Sequence, residues 1–449
     1  MIQIMKRNKL LSMALVFLSA LQCAAQNDST TSSFSLSRCI EYALEHNIVV
    51  RQSDLNTDIS LVTTNQLRTS RFPSVEASAR QNFSWNDVQS ATTGNWAYEG
   101  NASTSLGVNA SMNLFNGLKT TKAIEQAEID YKAGQFDTEA QRENIALQVL
   151  GAYTQVLYSA EQVENAKRQV ELTRSQLNLA AERLSIGTIA RADYLQVESQ
   201  FATEELTLTT ARNQLATNRI TLMQLMEYPI NDNFTIVTPD MSSVQPPLAS
   251  PEASDVYARA LEVKPEIKSA ALKTKAAGME IDLAKADALP SLSLDAGLST
   301  NYTDNVQQLN FSSQLEHNLS PTLGLTLSVP IFSRGEIKSQ VATARIRSEI
   351  TKLDGQTTNN QLRKNIENAC LDVTASSAEF QSAGQQYNAA NASYEVASER
   401  FSNGLINTVD FLVQKTSLIS AESARLQARY NLIYSLKALD FYSGKSITF

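Results

Sequence analysis

Apolar positions recur every seven residues along much of the chain. The sevens from Val149 are Val149, Val156, Val163, Val170, Leu177 and Leu184, all bulky. The sevens from Ile145 are Ile145, Ala152, Ser159, Ala166, Thr173 and Ala180, small after the first. A bulky and a slim stripe on one helix mark a helix that packs lengthwise against others. The pattern returns 217 residues later. Ile366, Val373, Phe380, Tyr387, Tyr394 and Phe401 lie beside Leu362, Ala369, Ser376, Ala383, Ala390 and Ala397. The chain is therefore two structural repeats.

The period changes from helical to two after Pro73, and again after Pro290, the same 217 residues on. Val75, Ala77, Ala79, Phe83 and Trp85, interrupted by Gln81, alternate with polar residues, as do Leu292, Leu294, Ala296 and Leu298, with Tyr302 where Trp85 falls. A second alternating run follows each: Leu106, Val108, Ala110, Met112 and Leu114, then Leu323, Leu325, Leu327, Val329 and Ile331. Such alternation gives a strand one apolar and one wet face. The runs predict strands over 74–86, 104–115, 291–302 and 322–332, with polar loops at 86–103 and 303–320. Each is long enough to cross a bilayer when tilted.

The helical pattern predicts a leading helix at 35–71, a long helix at 119–184 and a return helix at 190–227. The second copy gives 254–289, 336–401 and 407–442. Lys264-Pro265 should break or kink the first of these. Glycines at 187 and 404 should stop the long helices in a left-handed conformation. The return-helix stripes are Tyr194, Phe201, Leu208, Leu215 and Leu222, and Phe411, Leu418, Arg425, Leu432 and Leu439, which Arg425 interrupts. Arg425 could face water, a lumen or an acid.

Proline placement divides the repeats. None occurs between Pro73 and Pro229 or after Pro330, whereas five cluster from Pro229 to Pro251. The segment 229–253 reads as a linker between repeat 1 (26–228) and repeat 2 (254–449). Residues 1–25 read as a secretory signal peptide: Lys6, Arg7 and Lys9 precede a short apolar run, and Ala24-Ala25 offers a cut before Gln26. Cys23 is the alternative as a lipid-attachment site, although Gln22 before it is bulky for that role. Loss of those three bases moves the net charge from −8 to −11. So acidic a chain is not a nucleic-acid binder. Cys39 and Cys370 are too few for a disulfide scaffold and read as two unpaired apolar residues. After the leader no run of 18 apolar residues occurs. A membrane location would then require a β-barrel. Four strands cannot close one, since about eight is the minimum. Either the chain oligomerises or its own helices cover the strands. His46 and His317, with no phosphate loop, metal-spaced cluster or serine elbow, give no enzyme signature and no cofactor.

The order of elements, the Phe115-Asn116-Gly117 and Phe332-Ser333-Arg334-Gly335 exits from the strands, and the turns at 183–195 and 400–412 together resemble the TolC-type outer-membrane efflux proteins. The likeness spans about 35–442. It implies a mainly α fold with membrane β: long coiled-coil α-hairpins forming a periplasmic α-barrel, and four strands per chain contributing to a 12-stranded outer-membrane β-barrel in a homotrimer. It implies an exit duct of a tripartite efflux pump or type I secretion system. The partners would be outer-membrane lipid, a periplasmic adaptor protein and, through it, an inner-membrane pump. Ile186, Gly187, Thr188, Asn403, Gly404 and Leu405 would be the adaptor-contacting tips. Asp193 and Asp410 match acids of the family's periplasmic gate, and the alternative is that each stabilises the first turn of its return helix. Phe401, Ile406 and Val413 depart from the gate's hydroxyl, arginine and second acid. Trp85 and Tyr302 would be membrane-interface aromatics, and the lining would be polar and net acidic. The competing reading is a secreted or periplasmic coiled-coil scaffold without a channel, which explains the heptads but not strands of spanning length.

Overall fold

The computed structural model describes residues 33–89, 94–231, 233–239, 246–247, 252–304 and 309–448. The leader and Cys23 lie outside them, as does part of the linker. Repeat 1 opens with α1 (Leu36–His46) and α2 (Ile48–Thr69), followed by β1 (Ser74–Gln89), β2 (Trp96–Asn116), α3 (Lys119–Ser185) and α4 (Arg191–Leu225). Repeat 2 runs α5 (Ala253–Val263), α6 (Pro265–Ala286), β3 (Ser291–Thr303), α7 (Phe311–His317), β4 (Ser320–Ser328), α8 (Glu336–Ser402) and α9 (Thr408–Tyr442). At 67 residues each, α3 and α8 are about 100 Å long. No helix among the described residues is long and apolar enough to cross a membrane.

The leading helix expected over 35–71 is two helices. Asn47 takes an extended conformation between them (φ −61°, ψ 128°). Its Oδ1 accepts from the Val49 N–H at 2.9 Å, capping α2, and its Nδ2 donates to the Leu225 carbonyl at 2.9 Å. The side chain thus competes with the backbone for the bonds a continuous helix would use. Lys264, 217 residues on, breaks the second copy at Pro265 (φ −65°, ψ 127°).

The four strands form one antiparallel sheet in chain order. Its apolar positions share one face in register. Val75, Ala110, Ala296 and Leu323 form one row, and Val108 and Leu298 lie on the next. The opposite face carries Ser74, Ser111, Asp295 and Gly324, then Glu76, Asn109, Gly297 and Thr322. Gly297 leaves room there that a methyl would lose, since a Cβ would stand 2.7 Å from Thr322 Oγ1. A bulge between Asn113 and Phe115 puts Phe115, not Leu114, beside Leu292. The long loop expected at 86–103 is largely strand, with Asp87 opposite Tyr98 and Gln89 opposite Trp96. β4 stops at Ser328, short of the expected 332, because Pro330 has no N–H to donate. The loop expected at 303–320 contains α7, fixed by buried Gln314, which bonds the Thr303 N–H and carbonyl at 3.0 and 2.9 Å.

Below the sheet α2, α3, α6 and α8 lie side by side, and nearer the turns α4 packs on α3 and α9 on α8. The main core is equatorial. It gathers Cys39, Val50, Val149, Tyr153, Val156, Leu222, Leu426 and Ile433. Phe34 pairs with Ile236 of the linker in a parallel bridge, and Tyr153 Oη donates to the Val237 carbonyl at 2.5 Å, tying the linker to this core. Cys39 and Cys370 are both buried and unpaired.

Candidate functional site

The two turns at the far end of the hairpins share one geometry. The Gly187 N–H donates to the Leu184 carbonyl at 3.0 Å and the Thr188 N–H to the Arg183 carbonyl at 2.9 Å. Gly404 and Leu405 donate likewise to Phe401 and Arg400, at 3.1 and 2.8 Å. This paired closure is the Schellman motif. It requires the left-handed glycines at φ +76° and +71°. Of the tip residues, Ile186 and Leu405 expose most of their apolar surface, 73% and 68%. Thr188 and Asn403 turn back to the helix ends, their side chains bonding the Arg183 and Glu399 carbonyls.

Asp193 and Asp410 each occupy the first turn of a return helix, where the helix dipole favours an anion. Asp410 is engaged. Its N–H donates to Asn407 Oδ1 at 2.8 Å, and its Oδ2 accepts from Asn407 Nδ2 at 3.0 Å. It also lines a groove with Arg400, Ile406, Val413 and Gln414. No hydrogen bond or ion pair joins Asp193 to Asp410 among the described residues. Phe401 and Ile406 pack instead into an apolar cluster with Tyr394, Ala397, Phe411 and Leu412. The rings of Phe401 and Phe411 stack at 4.5 Å. Arg425 is exposed, with its guanidinium 4.6 Å from the Tyr387 ring centroid.

A polar cluster absent from the sequence expectations sits deeper, between the hairpins. Lys415 Nζ lies 3.0 Å from Glu204 Oε1 and donates to Gln176 Oε1 at 3.2 Å. It also donates to Thr173 Oγ1, which in turn reaches Glu204. Gln200 Nε2 donates to Glu204 at 2.9 Å. Lys415 and Glu204 are 1% and 5% exposed. Burial pulls the Lys415 ammonium below its ordinary pKa, and Glu204 partly restores it. The signal in the sequence was the second stripe of α4: Val197, Glu204, Ala211 and Asn218 are seven apart and all buried.

At the other end of the molecule the strands hand over to the long helices at left-handed residues: Gly117 and Leu118 (φ +66° and +64°), Arg334 and Gly335 (φ +49° and +83°). Gly117 also meets close neighbours, since a Cβ there would lie 2.8 Å from Leu289 Cβ. Trp85 is 60% exposed, and its indole lies across Gly100, where a Cβ would come within 2.9 Å of Nε1. The Tyr302 ring meets Phe311 edge-on at 4.9 Å.

The Outer membrane efflux protein family matches residues 39–226 and 256–445, both repeats almost in full. The chain belongs to that family. The outer membrane efflux protein BepC of Brucella suis biovar 1 is 22% identical over 340 residues, 76% of this chain and 72% of BepC. The alkaline protease secretion protein AprF of Pseudomonas aeruginosa is 27% identical over 189 residues, 41% of this chain and 37% of AprF. In fold, the open-state outer membrane channel MtrE of Neisseria gonorrhoeae superposes with a TM-score of 0.74 at 20% identity, covering 94% of this chain and 95% of MtrE. The protein is thus an outer-membrane protein with its helical part in the periplasm, and its two-repeat fold is that of the family's channels.

Proposed function

We propose that three copies of this chain close into one exit duct, which passes solutes from a periplasmic adaptor and an inner-membrane pump to the exterior. The observation that carries this reading is the set of unfinished edges. β1 and β4 are both edge strands, and the outward apolar face of β4 is bare, with Leu323, Leu325 and Leu327 65–78% exposed. An open sheet of this kind is tolerated only when paired or closed.

The helical layer has unfinished edges too. α2 and α8 end the side-by-side layer, and each exposes an apolar stripe. Leu55, Ile59 and Val62 line α2 at 61–65% exposure, and Ile346, Ile350 and Leu353 line α8 at 52–63%. A copy laying its α8 stripe on the α2 stripe of the next, with β4 against β1, makes a head-to-tail contact that closes if the rotation returns to the start. Three copies give twelve strands, enough for a water-filled barrel. The polar face with Glu76 and Asp295 then lines it.

The exposed Ile186 and Leu405 at the turns are the surface offered to the adaptor. BepC is named for efflux and AprF for protease secretion, which supports an exit duct without fixing the cargo. The test is single-channel recording of the purified full chain in a planar bilayer. Discrete conductance steps support the duct. A protein that inserts without conducting contradicts it.

A further inference from the structure

Where the sheet meets the helices, the first repeat joins the second through a charged junction. β2 pairs with β3, with Phe115 beside Leu292 and Asn116 beside Ser291. Beneath them α3 lies on α6, and Lys119 and Lys122 pair with Asp287 and Asp282 at 2.5 and 2.9 Å. The 217-residue repeat carries this junction over to the seam between copies, where β4 and α8 of one copy meet β1 and α2 of the next. Phe332 then falls beside the next copy's Val75 and Ser333 beside its Ser74. Arg334 comes level with its Phe72 and Arg71.

The charges do not carry over. Lys119 and Lys122 become Glu336 and Ser339, while Asp287 and Asp282 become Ser70 and Asn65. From Ile59 to Val75 the chain has no acid at all. Yet three bases gather at this level: Arg71 after α2, and Arg334 and Lys338 about the start of α8. All three are exposed, with no ion pair or side-chain hydrogen bond among the described residues. Glu336 is the nearest acid in sequence, but it accepts from Gln340 at 3.3 Å and lines a groove with Lys119 and Asp287. Glu76 of β1 lies on the polar face of the sheet.

Neither local structure nor packing calls for these bases. A cation at the start of a helix opposes its dipole, so Arg334 and Lys338 do not serve α8. Arg334 also holds a left-handed position (φ +49°) that Gly117 fills in the first repeat. A Cβ at Gly117 would stand 2.8 Å from Leu289 Cβ, so the seam must stand wider at Arg334 than the junction within the chain does. The rim of that crevice is apolar. Ile331 and Phe332 continue the bare face of β4 at 95% and 84% exposure, and Phe72 is exposed beside them.

We infer that Arg334 and Lys338 of one copy, with Arg71 of the next, form a headgroup site for an anionic phospholipid of the periplasmic leaflet, its acyl chains lying on Phe72, Ile331 and Phe332. The phosphodiester supplies the negative charge that the seam lacks. The guanidinium forks match its oxygens, and the apolar rim favours a lipid over a free anion. The site rests on the three-copy closure proposed above, because it is complete only across a seam.

The test is native mass spectrometry of the full chain, purified in detergent, stripped of lipid and titrated with phosphatidylglycerol or with phosphatidylcholine of the same acyl chains. The variants are Arg71→Gln, Arg334→Gln, Lys338→Gln and the three combined. Lys119→Gln is the control, since it removes a base already paired at the equivalent junction within the chain. The parent is expected to hold one phosphatidylglycerol per seam in preference to phosphatidylcholine. Each seam variant is expected to weaken phosphatidylglycerol binding about fivefold and leave phosphatidylcholine unchanged. The combined variant should lose the preference, and Lys119→Gln should keep it. A trimeric parent without the preference overturns the site. So does a control as weak as the combined variant, because binding would then follow net charge alone. Displacement of the lipid by excess inorganic phosphate overturns the lipid assignment. A monomeric parent, read from the mass before any lipid is added, refutes the three-copy closure instead.

Discussion

Asn407 and Asp410 bond one another reciprocally across the first turn of α9, at 2.8 and 3.0 Å. Asn407 is the N-cap, and the Asp410 carboxylate accepts from its side-chain amide rather than from the backbone N–H that a capping box would use. It gives Asp410 a structural task beside any gating one. Neutral and truncated variants separate the two. Asp410→Asn keeps a side chain able to bond Asn407, whereas Asp410→Ala removes it and, with the Asn407 cap itself intact, costs about 0.3–1 kcal/mol at the helix start. If Asp410 acts as a charged ring at the duct mouth, Asn changes cation selectivity as much as Ala does. If it only caps, Asn conducts as the parent and Ala loosens the turn.

The four left-handed glycines named above divide by cause. At Gly187 and Gly404 nothing stands within 4 Å of an added Cβ, so only the backbone angle resists alanine. The expected loss is about 1–2 kcal/mol, local to the turn, and visible as faster amide exchange at 183–188 or 400–405 with assembly intact. Gly335 is of the same kind. At Gly117 a Cβ meets Leu289 Cβ at 2.8 Å and the Ala286 carbonyl at 2.9 Å. Gly117→Ala is therefore expected to disturb the strand–helix junction and lower the yield of assembled protein, where Gly187→Ala does not.

Adjacent residues of β4 should differ sharply. Leu325 pairs with Leu294 on the apolar face, and Thr326 pairs with Ser293 on the polar one. Arginine at 325 should cost about 2–4 kcal/mol if that position lies near the bilayer midplane, and should reduce the detergent-resistant assembled form on unheated gels. Thr326→Arg should assemble normally and alter conductance. Equal assembly of both variants would mean that neither face meets lipid.

Burial pushes the Cys39 thiol up to about 12. The thiolate is the reactive form, so at pH 8 Cys39 is expected to resist alkylation in the folded protein and to react once urea exposes it. Labelling of the native protein at Cys39 would contradict the packing of α1 against α3.

Much of this was legible because the repeat is. A residue and its copy 217 positions on carry the same role, so the strands, the long helices and the glycine turns were each announced twice. The same rule would have found the break at Asn47. Its copy is Lys264, which Pro265 marks openly, but Asn47 works through its side chain, and asparagine in a helical run is not by itself a stop. The bulge at Leu114 was invisible because a strict alternation predicts no slip. The reach of β1 and β2 beyond the polar run was missed because strand pairing there depends on backbone bonds that no apolar pattern reports. Lys415 and Glu204 were missed for another reason. Each reads as solvated alone, and only the packing of α9 into the groove between α3 and α4 buries them against one another.

Completion of the sheet by copies of this chain in the outer membrane is tested by the native mass of the protein extracted from outer-membrane fractions in mild detergent. A heat-sensitive species of about three times the monomer mass is expected, as closure of a cyclic assembly requires. A soluble monomer recovered from the periplasm would contradict it.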